Sequence, residues 1–121
     1  MATRAQPETM NREKRFAGKT VAITGPSLHG IGGAIALRLA EEGASLLLLA
    51  LEKPSELLDR LETMGCHAEY LVCDVADPQV ANKTVDAMDQ KQIAIDALVN
   101  NAGVDWSSPF HSMDEVRWRE I

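Results

Sequence analysis

The chain has 121 residues, 45% of them hydrophobic, and a formal net charge of -6. That length suits one domain with enough Leu, Val, Ile and Ala for a packed core, which argues against a disordered chain. The charge is uneven: Arg4, Arg12, Lys14, Arg15 and Lys19 outnumber Glu8 and Glu13 in the first twenty residues, and the rest of the chain is acidic. An acidic body argues against nucleic acid as a partner, and a short basic arm is ordinarily a solvated tail. The apolar run Leu46 to Leu51 is far too short to span a membrane, so no membrane association is expected. The first residues lack the apolar core of a secretion signal, and Glu8 and Glu13 weaken a transit-peptide reading, which makes a cytoplasmic location the expectation. Cys66 and Cys73 have neither Cys-x-x-Cys nor metal-ligand spacing, so they read as reduced, partly buried thiols and no metal site is expected.

Residues 1–17 are polar and without period, a flexible N-terminal arm in which Met10 is an alternative start; order is expected to begin near Gly18 and run to Ile121. Val21, Ala22 and Ile23 suit a short buried strand, and Ile31, Ala34, Ile35 and Leu39 recur at helical spacing until Gly43 stops the helix. Between them lies Thr24-Gly25-Pro26-Ser27-Leu28-His29-Gly30-Ile31-Gly32, a glycine-rich strand-to-helix turn. In that context the pattern reads as a phosphate cradle, because a diphosphate must approach unpaired N–H groups at the positive end of a helix, where Cβ atoms would obstruct it. The dipole alone contributes about 0.3–2 kcal/mol. Direct bonds from the N–H groups of Gly30 to Gly32, and from the Ser27 hydroxyl, would add roughly 1.5–3 kcal/mol each. An acidic side chain at Gly32 is therefore expected to abolish binding by repulsion. The alternative is an ordinary glycine turn that only packs strand against helix.

Ser45 to Ala50 forms the second strand, and its four consecutive leucines suit a parallel strand buried on both faces. Pro54 sits at the first turn of a second helix with the stripe Leu57, Leu58, Leu61 and Met64, ended by Gly65. His67 to Cys73 is the third strand, terminating at Asp74. Asp77-Pro78 supplies a cap and a first-turn proline for a third helix whose inner side is Ala81, Thr84, Val85 and Met88. Ile93 to Val99 is the fourth strand, Asn100 to Gly103 the turn after it, and Ser112 with Glu115 a capping box for a last helix. Strands alternating with helices call for right-handed crossovers, giving an α/β fold: a four-stranded parallel sheet of order 3-2-1-4 with helices on both faces. Ligands lie beyond the carboxyl ends of such strands where strand order reverses. The glycine turn, Asp74 and the Asn101 turn all fall on that edge.

These residues resemble the N-terminal, cofactor-binding half of a classical short-chain dehydrogenase/reductase with its Rossmann-like sheet, here incomplete. The matching stretches are Thr24-Gly25 with Gly30-Ile31-Gly32, Ala34-Ile35-Ala36, Glu41-Glu42-Gly43-Ala44, Cys73-Asp74-Val75 and Asp96 through Gly103. The resemblance implies NAD(P)-dependent hydride transfer between a carbonyl and an alcohol. It also implies that Gly25, Ser27, Gly30, Ile31 and Gly32 contact the cofactor diphosphate and adenosine ribose. The Asp74 carboxylate would accept from the adenine amino group and the Val75 N–H would donate to a ring nitrogen. Asn101, Ala102 and Gly103 would let the backbone approach the adenosine side, with Asn100 a brace between strands. Asp74 could equally be a helix cap, although Asp77 is the better candidate for that role.

The family's turn has three residues between its first two glycines, and this one has four, Pro26 to His29. Pro26 lacks an N–H, which leaves open which amides face the phosphate. His29, directly before Gly30, stands where a basic residue in related proteins favours a 2′-phosphate, and the alternative is an exposed loop histidine. An acidic residue ending the second strand would repel that phosphate. Ala50 and Leu51 occupy the place, followed by Glu52 and Lys53, so the cofactor reading is NADP or NAD with a slight lean to NADP.

The catalytic Ser and Tyr-x-x-x-Lys of the family are not in these residues: the only tyrosine, Tyr70, is followed by Leu71, Val72, Cys73 and Asp74. Ser107, Ser108 and His111 read as turn and capping residues more readily than as pocket lining. The expectation is the dinucleotide-binding half of an oxidoreductase, inactive by itself, with a non-catalytic nucleotide-binding module or a truncated gene remnant as the alternatives. An unpaired fourth strand and a surface set of Val104, Trp106, Phe110 and Trp118 would favour self-association.

Overall fold

The computed structural model describes residues 15–105 and 107–121; the arm up to Lys14, and Trp106, lie outside the described residues. The elements are β1 (Thr20–Thr24), α1 (Ile31–Glu41), β2 (Ser45–Ala50), α2 (Ser55–Thr63), β3 (Ala68–Val72), α3 (Val80–Gln90), β4 (Ala97–Val99) and α4 (Glu115–Glu120), with a 3-10 turn at Phe110–Ser112. All pairings are parallel and the sheet order is β3-β2-β1-β4, the Rossmann-like arrangement expected.

The four leucines of β2 organise the two layers. Leu46 and Leu48 face one side, where they pack with Val21, Ile23, Ala36 of α1 and Leu57 and Leu61 of α2. Leu47 and Leu49 face the other, with Ala22, Leu71 and Cys73, under Val80, Ala87 and Met88 of α3. A strand buried on both faces has no polar side to alternate with, which is why the run is continuous.

Several boundaries differ from expectation. The body begins no later than Arg15: the Phe16 N–H donates to Glu42 O at 2.9 Å. Arg15 Nε and Nη2 donate to Glu42 Oε1 at 2.9 and 2.5 Å. Glu42 is 3% exposed, and Arg38 Nη2 lies 3.6 Å from the same oxygen, so a buried carboxylate is matched by two guanidinium groups. The contact face of α1 is Gly32, Gly33 and Ala36 rather than Ile31 and Ala34. Ile31 is 77% exposed, because the close approach of the turn and of Asn101 puts the glycines, not the larger side chains, on the inner side of the helix start.

Helix α3 starts at Val80, later than Asp77-Pro78 suggested; Asp77 Oδ1 accepts the Gln79 N–H at 2.8 Å and so closes the turn ahead of the helix. Lys83 Nζ donates to Asp77 Oδ2 at 2.5 Å, and this bond, with the Gln79 N–H, holds the Asp77 carboxyl below the usual range. The inner side of α3 is Val80, Thr84, Ala87 and Met88, with Thr84 Oγ1 3.8 Å from Cys73 Sγ; Thr84 and Met88 are as expected, and Ala81 and Val85 face out. β4 is three residues rather than seven. Asp96 already stands opposite Thr20, its N–H donating to Thr20 O at 2.8 Å and its Oδ2 accepting the Thr20 N–H at 2.8 Å. Residues 93–95 precede the start of β1, so they have no ladder partner there; Ile93 and Ile95 still pack on the second face. At α4 the cap is Asp114, which accepts the Val116 N–H at 2.8 Å. Ser112 instead donates to Pro109 O at 3.1 Å, so the expected capping box with Glu115 is not formed.

Leu48→Ala should cost about 2–5 kcal/mol, since it opens a cavity in a packed layer. Val85→Ala, on the outer side of α3, should stay within roughly 0.5 kcal/mol. Urea denaturation of the two variants checks the assignment of faces.

Candidate functional site

The carboxyl ends of β1, β3 and β4 meet around the glycine turn. Thr24, the last residue of β1, is the hub: its Oγ1 accepts the N–H groups of Asn101 and Ala102, each at 3.0 Å. Asn101 Nδ2 donates in return to Thr24 O at 3.0 Å and Gly25 O at 3.1 Å. The loop after β4 is thereby clamped onto the turn after β1. The bracing role expected of Asn100 thus belongs to Asn101, whose amide group is spent on carbonyls of the turn.

This clamp explains the glycines sterically. Gly25 has φ +62 and its N–H donates to Leu49 O at 2.7 Å; a Cβ there would stand 2.8 Å from Ala102 Cα. A Cβ at Gly32 would stand 2.9 Å from Asn101 Cγ and 3.0 Å from Pro26 Cα, and one at Gly33 would stand 2.8 Å from Leu28 O. A substitution such as Gly32→Asp therefore collides with the clamp, so lost binding in that variant would report a broken turn as readily as charge repulsion. Gly103 differs: nothing lies within 4 Å of where its Cβ would be.

The donors at the start of α1 are displaced by one residue from expectation. The Gly30 N–H donates to Ser27 O at 3.0 Å, and the Ala34 N–H to Gly30 O at 3.1 Å. The N–H groups of Ile31, Gly32 and Gly33 find no acceptor among the described residues. The four-residue spacer thus closes on itself through Ser27, and the open amides are the three that follow Gly30. Three adjacent amides at the positive end of a helix form a donor set for an anion.

Gly25 and Pro26, at the start of the same turn, line a cleft of about 450 Å³ with Asp74, Val75, Ala102 and Gly103, to which the end of β2, Glu120 and Ile121 also contribute. Asp74 Oδ1 accepts the Ala76 N–H at 2.9 Å, and Asp74 O the Asp77 N–H at 3.0 Å. Its Oδ2 has no partner among the described residues, so the carboxylate both shapes its turn and leaves an acceptor open. Ser27 and His29 line a neighbouring cleft of about 390 Å³, together with Lys53, Ser55 and Glu56. Ser107, Ser108 and His111 line neither cleft, and Ser108 Oγ donates to Pro109 O at 3.1 Å.

Two contributors were not singled out as site residues by sequence reasoning. Thr24 was read as the start of the glycine turn and part of the family match, with no role given to its hydroxyl. Tyr70 Oη lies 3.1 Å from Ala50 O and 3.3 Å from Leu51 O, tying β3 to the end of β2 beside the first cleft. The burial of the Cys66 sulfur pushes its thiol up, and its Sγ lies 3.3 Å from Ala44 O; both cysteines are free.

A model of the short chain dehydrogenase family matches residues 19–121. Oxidoreductase UcpA of Escherichia coli (strain K12) is 42% identical over 91 residues, covering 74% of this chain and 34% of that protein. Among solved structures, a metagenomic short-chain oxidoreductase in complex with NADP is 31% identical, with a TM-score of 0.76 over 87% of this chain and 48% of that one. A 3-oxoacyl-[acyl-carrier protein] reductase with bound NAD from Brucella melitensis is 28% identical, with a TM-score of 0.78 over 93% of this chain and 45% of that one. The chain thus spans less than half the length of each of these relatives.

Thr24→Val, which keeps shape and removes the shared acceptor, should destabilise the fold by about 1–3 kcal/mol by leaving two amides without a partner. Hydrogen exchange at Asn101 and Ala102 should accelerate selectively, and unchanged protection there would contradict the clamp.

Proposed function

This chain belongs to the short-chain dehydrogenase family, and from that premise we propose that it is the dinucleotide-binding half of an NAD(P)-dependent oxidoreductase acting on a carbonyl or alcohol. The observation that carries the reading is the set of three amides, Ile31, Gly32 and Gly33, without acceptors among the described residues, at the end of a turn whose first residues, Gly25 and Pro26, line a cleft with Asp74, Val75, Ala102 and Gly103. In this reading those amides hold the cofactor diphosphate. Gly25, Ser27 and Gly30 shape the turn that presents them, and the open oxygen of Asp74 accepts from the adenine amino group while the Val75 N–H donates to a ring nitrogen. The bare Gly103 leaves room for the adenosine ribose. When bound, the nicotinamide supplies hydride transfer; this chain's residues bind and orient.

The finer preference is for NADP. No carboxylate ends β2 at Ala50 or Leu51, and the two basic residues of the region, His29 and Lys53, line one cleft beside the glycine turn. The only tyrosine, Tyr70, is engaged with the backbone carbonyls of Ala50 and Leu51, which supports binding without turnover by these 121 residues alone. No helix among the described residues is long and apolar enough to cross a membrane, and both cysteines are free, in keeping with a cytoplasmic setting.

Fluorescence titration with NADPH should give a micromolar or weaker dissociation constant, following the bond energies of an exposed charged site. Gly103→Ala should weaken binding by about tenfold while leaving the melting temperature unchanged, because its Cβ enters ligand space with no protein atom within 4 Å. Asp74→Asn should weaken it by about tenfold or more, one hydrogen bond to a charged acceptor being worth roughly 1.5–3 kcal/mol. Equal affinity in both variants would remove the assignment.

We also infer self-association. The outer edge of β4 has no strand partner among the described residues, and Leu98, on the face opposite α1, is 50% exposed. Phe110 is 91% exposed, and Val104 and Trp118 are exposed with it. An open apolar edge favours pairing between copies. Light scattering of the purified chain should show dimers or larger species, and a monodisperse monomer would contradict this.

A further inference from the structure

The cleft beside the glycine turn contains one charge that cofactor binding as described does not use. Glu56 lies in the first turn of α2, and its Oε2 stands 3.6 Å from His29 Nε2. Both side chains are exposed, and both line the cleft shared by Ser27, Lys53 and Ser55. In doubly wound dinucleotide sites the ribose 2′ position is read at the end of the second strand. Here that end is Ala50–Leu51, followed by Glu52 and Lys53, so a 2′-phosphate would be received between the strand end and the glycine turn, with Lys53 and His29 as its cations.

We propose that Glu56 is a specificity-determining residue that restrains the preference for a 2′-phosphorylated dinucleotide. The inference rests on the dinucleotide reading given above. Glu56 acts in two ways. It pairs with His29 whenever the imidazole is protonated, which withdraws one of the two cations from the phosphate. Its own carboxylate also adds a negative charge on the wall that the phosphate would face. The pair is exposed, so each effect has the size of a unit-charge contact in water rather than of a buried bond. Glu56 makes no other ion pair among the described residues and points to solvent, so replacing it with glutamine keeps the wall's shape and removes only the charge.

The experiment measures NADPH and NADH dissociation constants by fluorescence titration for the full chain, Glu56→Gln, His29→Gln and the double variant. The readout is the ratio of the two constants. Glu56→Gln should shift that ratio about three- to tenfold towards NADPH, the range of a contact between unit charges in water, about 1 kcal/mol. The shift should shrink in the His29→Gln background, since part of it runs through the imidazole, and it should diminish as salt is raised. A ratio unmoved by Glu56→Gln overturns the proposal while leaving the dinucleotide reading intact. A full-sized shift in the His29→Gln background overturns the route through His29. Failure of the unaltered chain to bind either nucleotide overturns the dinucleotide reading and this inference with it.

Discussion

A single hydroxyl holds the ligand edge of this sheet together. Thr24 Oγ1 takes the N–H groups of Asn101 and Ala102, and Asn101 Nδ2 returns two bonds to the carbonyls of Thr24 and Gly25. β4 is only three residues long and among the described residues pairs with β1 alone, so the clamp adds to a short ladder. The clamp ties two segments more than seventy residues apart in sequence. It also sets the space into which the glycines must fit.

That ordering changes what the glycines are for. Gly25, Gly32 and Gly33 are small because protein atoms approach them: Ala102, Asn101 with Pro26, and Leu28 O respectively. Gly25 and Gly32 let the clamp close, and Gly33 lets the helix start pack on the carbonyls of its own turn. The donors at the start of α1 are a consequence, since a turn closed by the Gly30 N–H to Ser27 O leaves the next three amides without internal acceptors. A turn one residue longer than the family's pattern thus still presents its amides, because the spacer consumes the extra length in a bond to itself. Among the glycines of the ligand edge, Gly103 is the one with nothing within 4 Å of where its Cβ would be, and it separates the needs of the fold from those of a ligand.

Charge arranges the surroundings. Two guanidinium groups cover the buried Glu42 at the far end of α1, fixing the helix whose start carries the donors. At the near end, His29, Lys53 and Glu56 share one cleft, so attraction and repulsion towards an anion are set by exposed side chains of opposite sign. Exposed charges of this kind tune affinity by small factors and are sensitive to salt, which suits discrimination between related ligands better than gross affinity.

Much of this was legible in the chain itself. The continuous leucines of β2 gave both its bounds and its two buried faces, because a residue run without alternation has only one place in an α/β sheet. Gly43, Gly65 and the glycine turn marked element ends, since local backbone geometry is a property of a few neighbouring residues. The extent of β4 was not legible: Ile93 and Ile95 are as apolar as a strand requires, but a ladder needs a partner, and β1 begins only opposite Asp96. The inner side of α3 was shifted for a similar reason, as Val85 and Ala87 are both apolar and only the sheet beneath decides which is covered. Likewise Asn100 and Asn101 are chemically identical, and the distance to Thr24 chose between them. Composition and spacing determined the class of fold, the order of its strands and the edge where a ligand would lie, because these follow from periodicity and chain chirality. Which amides remain unpaired, which glycines serve packing, and which acid faces His29 were decided by the tertiary structure, because each depends on distances between segments that sequence separation does not encode.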